Sequence, residues 1–320
     1  MYKRILALIS ALVGPAMAQE PTLTVHCDRP GHAISPRLWG VFFEEINHAG
    51  DGGLYAELIR NRGFEEPSGD GNVIPGWSLE VGAGSEASMS LDRDLPAAPG
   101  AGAALRVAVN SGQALVVSRG YWGVAARAGA RYRLRLDARR DARMADGLIV
   151  AWRAADGREL ASTHLTGLTS AGKRFDVEMM PTADDVGASL VLTFEGPGTA
   201  WLDCVSLVPV ETWRKHRFGL RNDLGTLVEG LRPSFVRFPG GCFVEGGDSL
   251  KDAFRWPRTL GDPASRPGHM NANWGYWSSD GLGFHEYLQW CEDLGAEPLL
   301  VVNCGMSHKE SVPIDQLGEW

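Results

Sequence analysis

The period of the hydrophobic pattern changes twice along this chain, and that restricts the fold more than any single residue does. Residues 19 to 65 read as a mixed β segment, a Gly-rich turn and a helix over 54–62, with Leu54, Tyr55, Leu58 and Ile59 on one face. From about 66 to 208 the period is two. Runs at 104–109 (ALRVAV), 132–136 (YRLRL) and 148–152 (LIVAW) alternate between Gly, Asp and Pro turns, which predicts an antiparallel β-sandwich. After Glu211 the helical period returns. Leu220, Leu224, Leu227, Val228 and Leu231 form a stripe with Asn222 as a cap candidate, and strand 234–238 follows, ending at Pro239-Gly240-Gly241. A second cycle places Phe284, Tyr287, Leu288, Cys291 and Leu294 on a helix stopped by Gly295, then an apolar strand over 299–303.

Helices alternating with fully apolar strands predict a parallel β/α sheet, so the expected class is α/β plus all-β. A closed eight-fold β/α barrel takes ~250 residues, and these segments supply roughly three of eight units. The final stretch from Asp315 to Trp320 reads as the opening of a helix, so the chain reads as one cut inside its barrel.

With 44% hydrophobic and 22% charged residues over 320 positions, the chain is globular rather than disordered, with room for about two domains. Asp and Glu outnumber Lys and Arg by 39 to 31, and no basic run offsets the net charge of −8, which argues against a nucleic-acid surface. At the start, Lys3 and Arg4 precede an apolar run from Ile5 to Val13, and Ala16-Met17-Ala18 has the small-x-small pattern of a signal-peptide cleavage site. The run is far short of the ~20 residues that span a bilayer. Cleavage after Ala18 removes Lys3 and Arg4, leaves a charge of −10, and implies a secreted or periplasmic protein without a membrane anchor. Five cysteines without CxxC spacing specify neither a zinc site nor a disulfide framework, and Cys27, Cys204 and Cys291 are expected to act as small buried hydrophobes.

In parallel β/α proteins, ligands meet the C-terminal ends of the strands. Three sets qualify: Glu44-Glu45 with Asn47 and His48 after strand 39–43, Gly240-Gly241-Cys242-Phe243 after 234–238, and Asn303-Cys304-Gly305 after 299–302. A carboxylate at Glu44 needs donors, which either sugar hydroxyls or an arginine such as Arg237 would supply. Glu45 points the other way and reads as a salt-bridge partner. The Gly240-Gly241 corner admits close backbone approach to a ligand or is simply a tight turn. Asn303 is either a hydroxyl-recognising amide or a turn former. Trp274, Tyr276 and Trp277 offer flat faces for sugar stacking or pack a long loop. His269, His285 and His308 lack metal-ligand spacing and read as surface or core residues. No HExxH, GxSxG, GxxxxGK or strand-linked GxGxxG occurs, which removes the metalloprotease, α/β-hydrolase, P-loop and dinucleotide readings.

The stretches GVFFEEINHAGDGGLYAELIRNRGFE (40–65), FVRFPGGCFVEG (235–246) and DGLGFHEYLQWCEDLGAEPLLVVNCGMSHK (280–309) resemble the α-L-arabinofuranosidases of glycoside hydrolase family 51. The likeness is strongest to the secreted type with an inserted carbohydrate-binding-like sandwich. It implies a partial (β/α)8 TIM barrel, about its first three β/α units, with an inserted jelly-roll β-sandwich. The implied segments are a signal peptide at 1–18, the first barrel strand and helix at 19–65, the sandwich at 66–208 and the barrel continuation at 209–320. The implied activity is retaining release of terminal α-L-arabinofuranosyl groups from arabinoxylan- or arabinan-type polysaccharides.

By residue, the resemblance implies that Glu44 hydrogen-bonds the arabinose, that Cys242 takes a sugar-contacting position, that Trp274 lies on the leaving-group side, and that Asn303 ends the third strand near substrate. Retaining hydrolysis needs two carboxyl groups about 5–5.5 Å apart. In this family the acid/base follows an Asn, and no Asn-Glu dipeptide occurs in this chain. Both catalytic glutamates are therefore expected beyond Trp320, and the chain alone is expected to be inactive. The inserted region resembles family 4/9-type carbohydrate-binding modules through its Ile74-Pro75-Gly76-Trp77-Ser78 opening and its 200–207 close. That implies a structural Ca²⁺ held by Glu65 and Asp203, unless these form an ordinary edge salt bridge, and no cofactor for catalysis. Trp122 and Trp152 are candidates for a sugar platform there, with at least one expected in the core. The alternatives are a non-catalytic carbohydrate-binding protein and a related barrel glycosidase such as an endoglucanase or xylosidase. Oligomeric state is open.

Overall fold

Alternating side chains pair the middle of the chain into two five-stranded antiparallel sheets. The computed structural model describes residues 22–67, 73–94, 102–217 and 219–320, so the signal-peptide expectation lies outside the described residues. Two compact units separate at Leu38 and Trp39. In the first, 22–38 carry only turns, closed by Arg29 N–H to His26 O and Leu38 N–H to Ser35 O, and Cys27 is exposed there rather than buried.

In the second unit the sandwich strands are β2 (Trp77–Val81), β3 (Glu86–Asp92), β4 (Ala104–Ser111), β5 (Gln113–Ser118), β6 (Tyr132–Arg140), β7 (Gly147–Arg153), β8 (Glu159–Thr166), β9 (Lys173–Met179), β10 (Ser189–Glu195) and β11 (Gly198–Pro209), after the short β1 (Val41–Phe42). One sheet runs β2-β5-β10-β7-β8 and the other β3-β4-β11-β6-β9. Leu105 and Val107 of one sheet share a fully buried core with Val116, Leu190 and Leu192 of the other, as the period of two requires. Trp152 is completely buried, donates its Nε1–H to Val124 O at 2.8 Å and meets Tyr132 edge-on, so it is core and not a sugar platform. Trp122 is 68% exposed.

The parallel sheet has the order β1, β12 (Phe235–Phe238), β15 (Glu297–Leu300), with Val41 opposite Val236 and Val236 opposite Pro298. Helix α1 (Asn222–Gly230) precedes β12, the single turn α2 (Cys242–Glu245) follows it, and α3 (Phe284–Leu294) precedes β15. A ribbon of β13 (His269–Asn271) and β14 (Tyr276–Ser278) lies between. Helix α3 seats Tyr287 and Trp290 in the core, where Tyr287 stacks on Phe238 and its hydroxyl donates to Val236 O at 2.8 Å. Gly295 ends it at φ 65°, a left-handed cap that glycine adopts without strain. No helix among the described residues is long and apolar enough to cross a membrane.

Four further expectations need correction. Residues 54–62 do not form a helix. Ala56 N–H bonds Gly219 O and Leu58 N–H bonds Leu207 O, while Ile59 and Phe64 enter the sandwich core, so the local period was overridden by partners distant in sequence. The α1 stripe is split: Leu220 is buried and Leu224 and Val228 pack on the same core, but Leu227 and Leu231 are each 69% exposed. Asn222 is the first helical residue rather than the cap, which is Arg221 without a side-chain bond. The third strand stops at Leu300, and as an edge strand it leaves Leu299 49% exposed.

Candidate functional site

The chain crosses from each parallel strand into a loop at the same end of the sheet, and α2 is where these loops meet. Glu44 Oε1 accepts the backbone N–H groups of Gly241 (3.2 Å) and Phe243 (3.0 Å). Asn273 donates to Cys242 O at 2.7 Å, and Asn303 donates to Val244 O at 2.8 Å. The four-residue turn is thus fastened on three sides by polar side chains from three loops. Gly240 makes the approach feasible: at φ +127° a Cβ there would lie 2.3 Å from Glu44 Cγ.

The donors that Glu44 needs therefore come from backbone amides rather than from Arg237, whose guanidinium lies 4.6 Å over the Phe42 ring. Glu44 Oε2 is uncommitted among the described residues and half-buried, so the carboxylate retains acceptor capacity toward a ligand. Cys242 is exposed beside it, and Trp274, at the tip of the β13–β14 ribbon, is 40% exposed. Glu44 grips the turn that carries Cys242, and Asn273, the neighbour of Trp274, bonds Cys242 O. Asn303 differs. Its Nδ2 donates to Val244 O and Met306 O, and its Oδ1 accepts from Gly305 and Met306 N–H, so its amide is fully committed to shaping the 303–306 turn. It is a turn former that positions α2.

Glu45 is not a salt-bridge partner. It is buried, with Asp51 N–H at 3.2 Å from Oε2 and the Tyr276 hydroxyl at 2.9 Å from Oε1. Burial first, and then the neighbouring Asp51 carboxyl, raise its pKa to about 8. Asp51 is itself raised by burial, and Ser279 backbone and hydroxyl donors oppose that shift. Tyr276 also stacks on His48, ring centroids 3.7 Å apart, and His48 meets the exposed Trp122 edge-on at 5.4 Å, which brings a sandwich loop beside the β1 loop. Sequence spacing could not find this cluster, because its members come from residues 45–51, 121–122 and 271–280.

His269 is buried with Nδ1 3.0 Å from Asp280, which makes it a core residue. His308 is exposed and pairs through Nε2 with Glu245 at 2.8 Å. In the sandwich, Asp203 is fully buried, its Oδ2 has no hydrogen-bond partner among the described residues, and burial raises its pKa to about 7, with the Glu65 charge contributing. Glu65 accepts Gly102 N–H at 2.8 Å. The two carboxyls are like-charged and near enough for Glu65 to raise the Asp203 pKa, and they offer hard oxygens suited to Ca²⁺.

Residues 227–320 match the family model described as the alpha-L-arabinofuranosidase 1 domain. The chain is 40% identical over 309 residues to alpha-L-arabinofuranosidase 1 of Arabidopsis thaliana, covering 92% of this chain and 44% of that protein. It is 34% identical to the extracellular exo-alpha-L-arabinofuranosidase of Streptomyces chartreusis, covering 89% of this chain and 35% of the relative. Among solved structures, the arabinose-bound MgGH51 α-L-arabinofuranosidase superposes with a TM-score of 0.81 at 33% identity, over 91% of this chain and 48% of that one. The chain thus spans less than half the length of these relatives.

Proposed function

The chain belongs to the α-L-arabinofuranosidases of glycoside hydrolase family 51, and from that premise we propose that it forms the sugar-holding wall of an exported retaining glycosidase. Its substrate is a terminal α-L-arabinofuranosyl group on an arabinoxylan- or arabinan-type polysaccharide or oligosaccharide. The observation that carries this reading is the placement of Glu44, locked on α2 through one oxygen with the other uncommitted, beside Cys242 and the projecting Trp274. In this reading β1, β12 and β15 are about the first three strands of a (β/α)8 barrel. The paired antiparallel sheets are a jelly-roll inserted at 66–208, between the barrel segments 19–65 and 209–320. Export rests on the signal-like residues 1–18 and agrees with the name of the Streptomyces relative.

These three residues divide the binding work. Glu44 accepts sugar hydroxyls as a charged acceptor, the stronger kind of hydrogen bond. The Cys242 side chain touches the ring, and Trp274 presents an apolar face to the leaving group. Neither Glu44 nor Glu45 serves as a catalytic carboxyl: Glu44 is fastened to α2, and burial holds Glu45 in its protonated form at neutral pH. A retaining pair about 5–5.5 Å apart has to come from elsewhere, and these 320 residues alone are inactive. The sandwich carries a structural Ca²⁺ at Glu65 and Asp203, which would relieve the unpartnered buried oxygen of Asp203 without taking part in hydrolysis.

The reading is tested by assaying the gene product that carries this chain on aryl α-L-arabinofuranoside and aryl β-xyloside. Preference for the arabinofuranoside with an initial α-anomeric product supports it. Preference for the xyloside moves the protein to another barrel glycosidase. Polysaccharide binding with no turnover of either substrate would favour a non-catalytic binding protein, with exposed Trp122 as its platform.

A further inference from the structure

We propose that Cys242, Glu245 and His308 form a binding site for a thiophilic divalent cation of the Zn²⁺ class. The Cys242 thiol, a Glu245 carboxylate oxygen and a His308 ring nitrogen all lie within 4.8 Å of one another. Cys242 and Glu245 are i and i+3 on α2, so they project from one face of a single turn. His308 arrives from the loop after β15, and that loop is fastened in place: His308 N–H donates to Gly247 O at 2.8 Å, Ser307 Oγ to Asp248 O at 3.2 Å, and Leu250 N–H to Glu310 Oε2 at 2.8 Å. The backbone beneath all three ligands is therefore set before any ion binds. Only exposed side-chain torsions remain to adjust.

A tetrahedral ion with one sulfur, one nitrogen and one oxygen ligand needs donors about 3.3–3.8 Å apart. Side-chain rotation brings the three donors to that spacing, with the His308 Nε2–Glu245 pair opening from its present 2.8 Å. The donor set selects the ion: thiolate and imidazole favour Zn²⁺, whereas Ca²⁺ and Mg²⁺ take oxygen ligands. Three protein ligands leave a fourth position open. Binding transfers the Cys242 thiol proton to solvent and requires no oxidant or reductant. The site does not depend on the glycosidase reading, although it shares Cys242 with the sugar wall, so its test is a binding measurement.

The 320-residue chain is titrated with Co²⁺ and read by visible absorption, and the Co²⁺ is then displaced by Zn²⁺. One equivalent should produce tetrahedral d–d bands with a thiolate-to-metal charge-transfer band. Cys242→Ser should remove the charge-transfer band, and His308→Ala and Glu245→Gln should each weaken binding at least tenfold. Cys304→Ser, at another exposed thiol, should change nothing, and Ca²⁺ should not displace Co²⁺. Circular dichroism on each variant separates loss of ligand from loss of fold. Absence of a thiolate band, its persistence in Cys242→Ser, or its loss in Cys304→Ser overturns the proposal.

Discussion

Glu45→Gln should flatten part of the pH dependence of stability without loosening the fold. A carboxyl that titrates higher in the folded chain than in the unfolded one keeps its proton longer when folded. Its contribution is then greatest at low pH and falls as pH rises from the unfolded value near 4.5 towards the folded value of about 8. One proton held by the folded chain alone corresponds to a slope of about 1.4 kcal/mol per pH unit. Between about pH 5.5 and 7.5 the wild type should lose on the order of 2–3 kcal/mol through this group. The geometry admits the amide. The Tyr276 hydroxyl lies 3.1 Å from Glu45 O, where it can donate, and it accepts from His48 N–H at 2.9 Å. A protonated Oε1 then donates to Tyr276, and Gln Nε2 does the same while Gln Oε1 accepts from Asp51 N–H. Urea unfolding of both proteins across this range gives the difference in slope, which removes the contribution of the distant Asp203 and retains the part of the Asp51 titration that is tied to Glu45. Parallel stability curves for the two proteins would refute the reasoning.

Further outcomes follow from the same contacts. Glu44→Gln keeps an oxygen for Gly241 and Phe243 N–H but loses the charged acceptor, so kcat/KM for an arabinofuranoside in the gene product should fall on the order of tenfold or more with an unchanged Tm. Tyr287→Phe removes the donor to Val236 O, and denaturant unfolding should show a loss of about 1 kcal/mol with no change in m. If Glu65 and Asp203 hold Ca²⁺, saturation at about 100 times Kd should add about 2.7 kcal/mol, reversed by chelation and missing in Asp203→Asn; identical melting with and without Ca²⁺ rules the site out. Asn303→Ala should destabilise the 303–306 turn and lower arabinofuranoside affinity only indirectly, with partial rescue by Asn303→Asp, whose carboxylate still accepts the Gly305 and Met306 N–H groups.

The strands were legible because side-chain alternation is a local consequence of the pleat. Leu105, Val107, Leu134, Leu136, Val150 and Trp152 all lie in the core, as the period of two required. Helix α3 was legible for the corresponding reason, with its stop at Gly295 written in a single residue. The 54–62 segment was misread because Leu54, Tyr55, Leu58 and Ile59 satisfy a helical period while serving two different cores. Leu54 and Tyr55 pack with the parallel sheet, and Ile59 packs with the sandwich. Glu44 was recognisable from its position after β1, but the identity of its donors was not. Asn303 was correctly placed at the third loop, yet only its four bonds show that it builds the turn.

Local pattern alone determined the sandwich strands, helix α3 and which polar residues fall at the strand ends, since these depend on neighbours a few positions apart. Tertiary structure decided what those residues do. Glu45 became a buried, proton-retaining carboxyl because Asp51 and Tyr276 converge on it, and Cys242, Glu245 and His308 became neighbours because the 307–310 loop is stitched to 247–250. Burial and juxtaposition across long stretches of chain set desolvation and charge–charge energies, and no periodicity in a linear sequence encodes those.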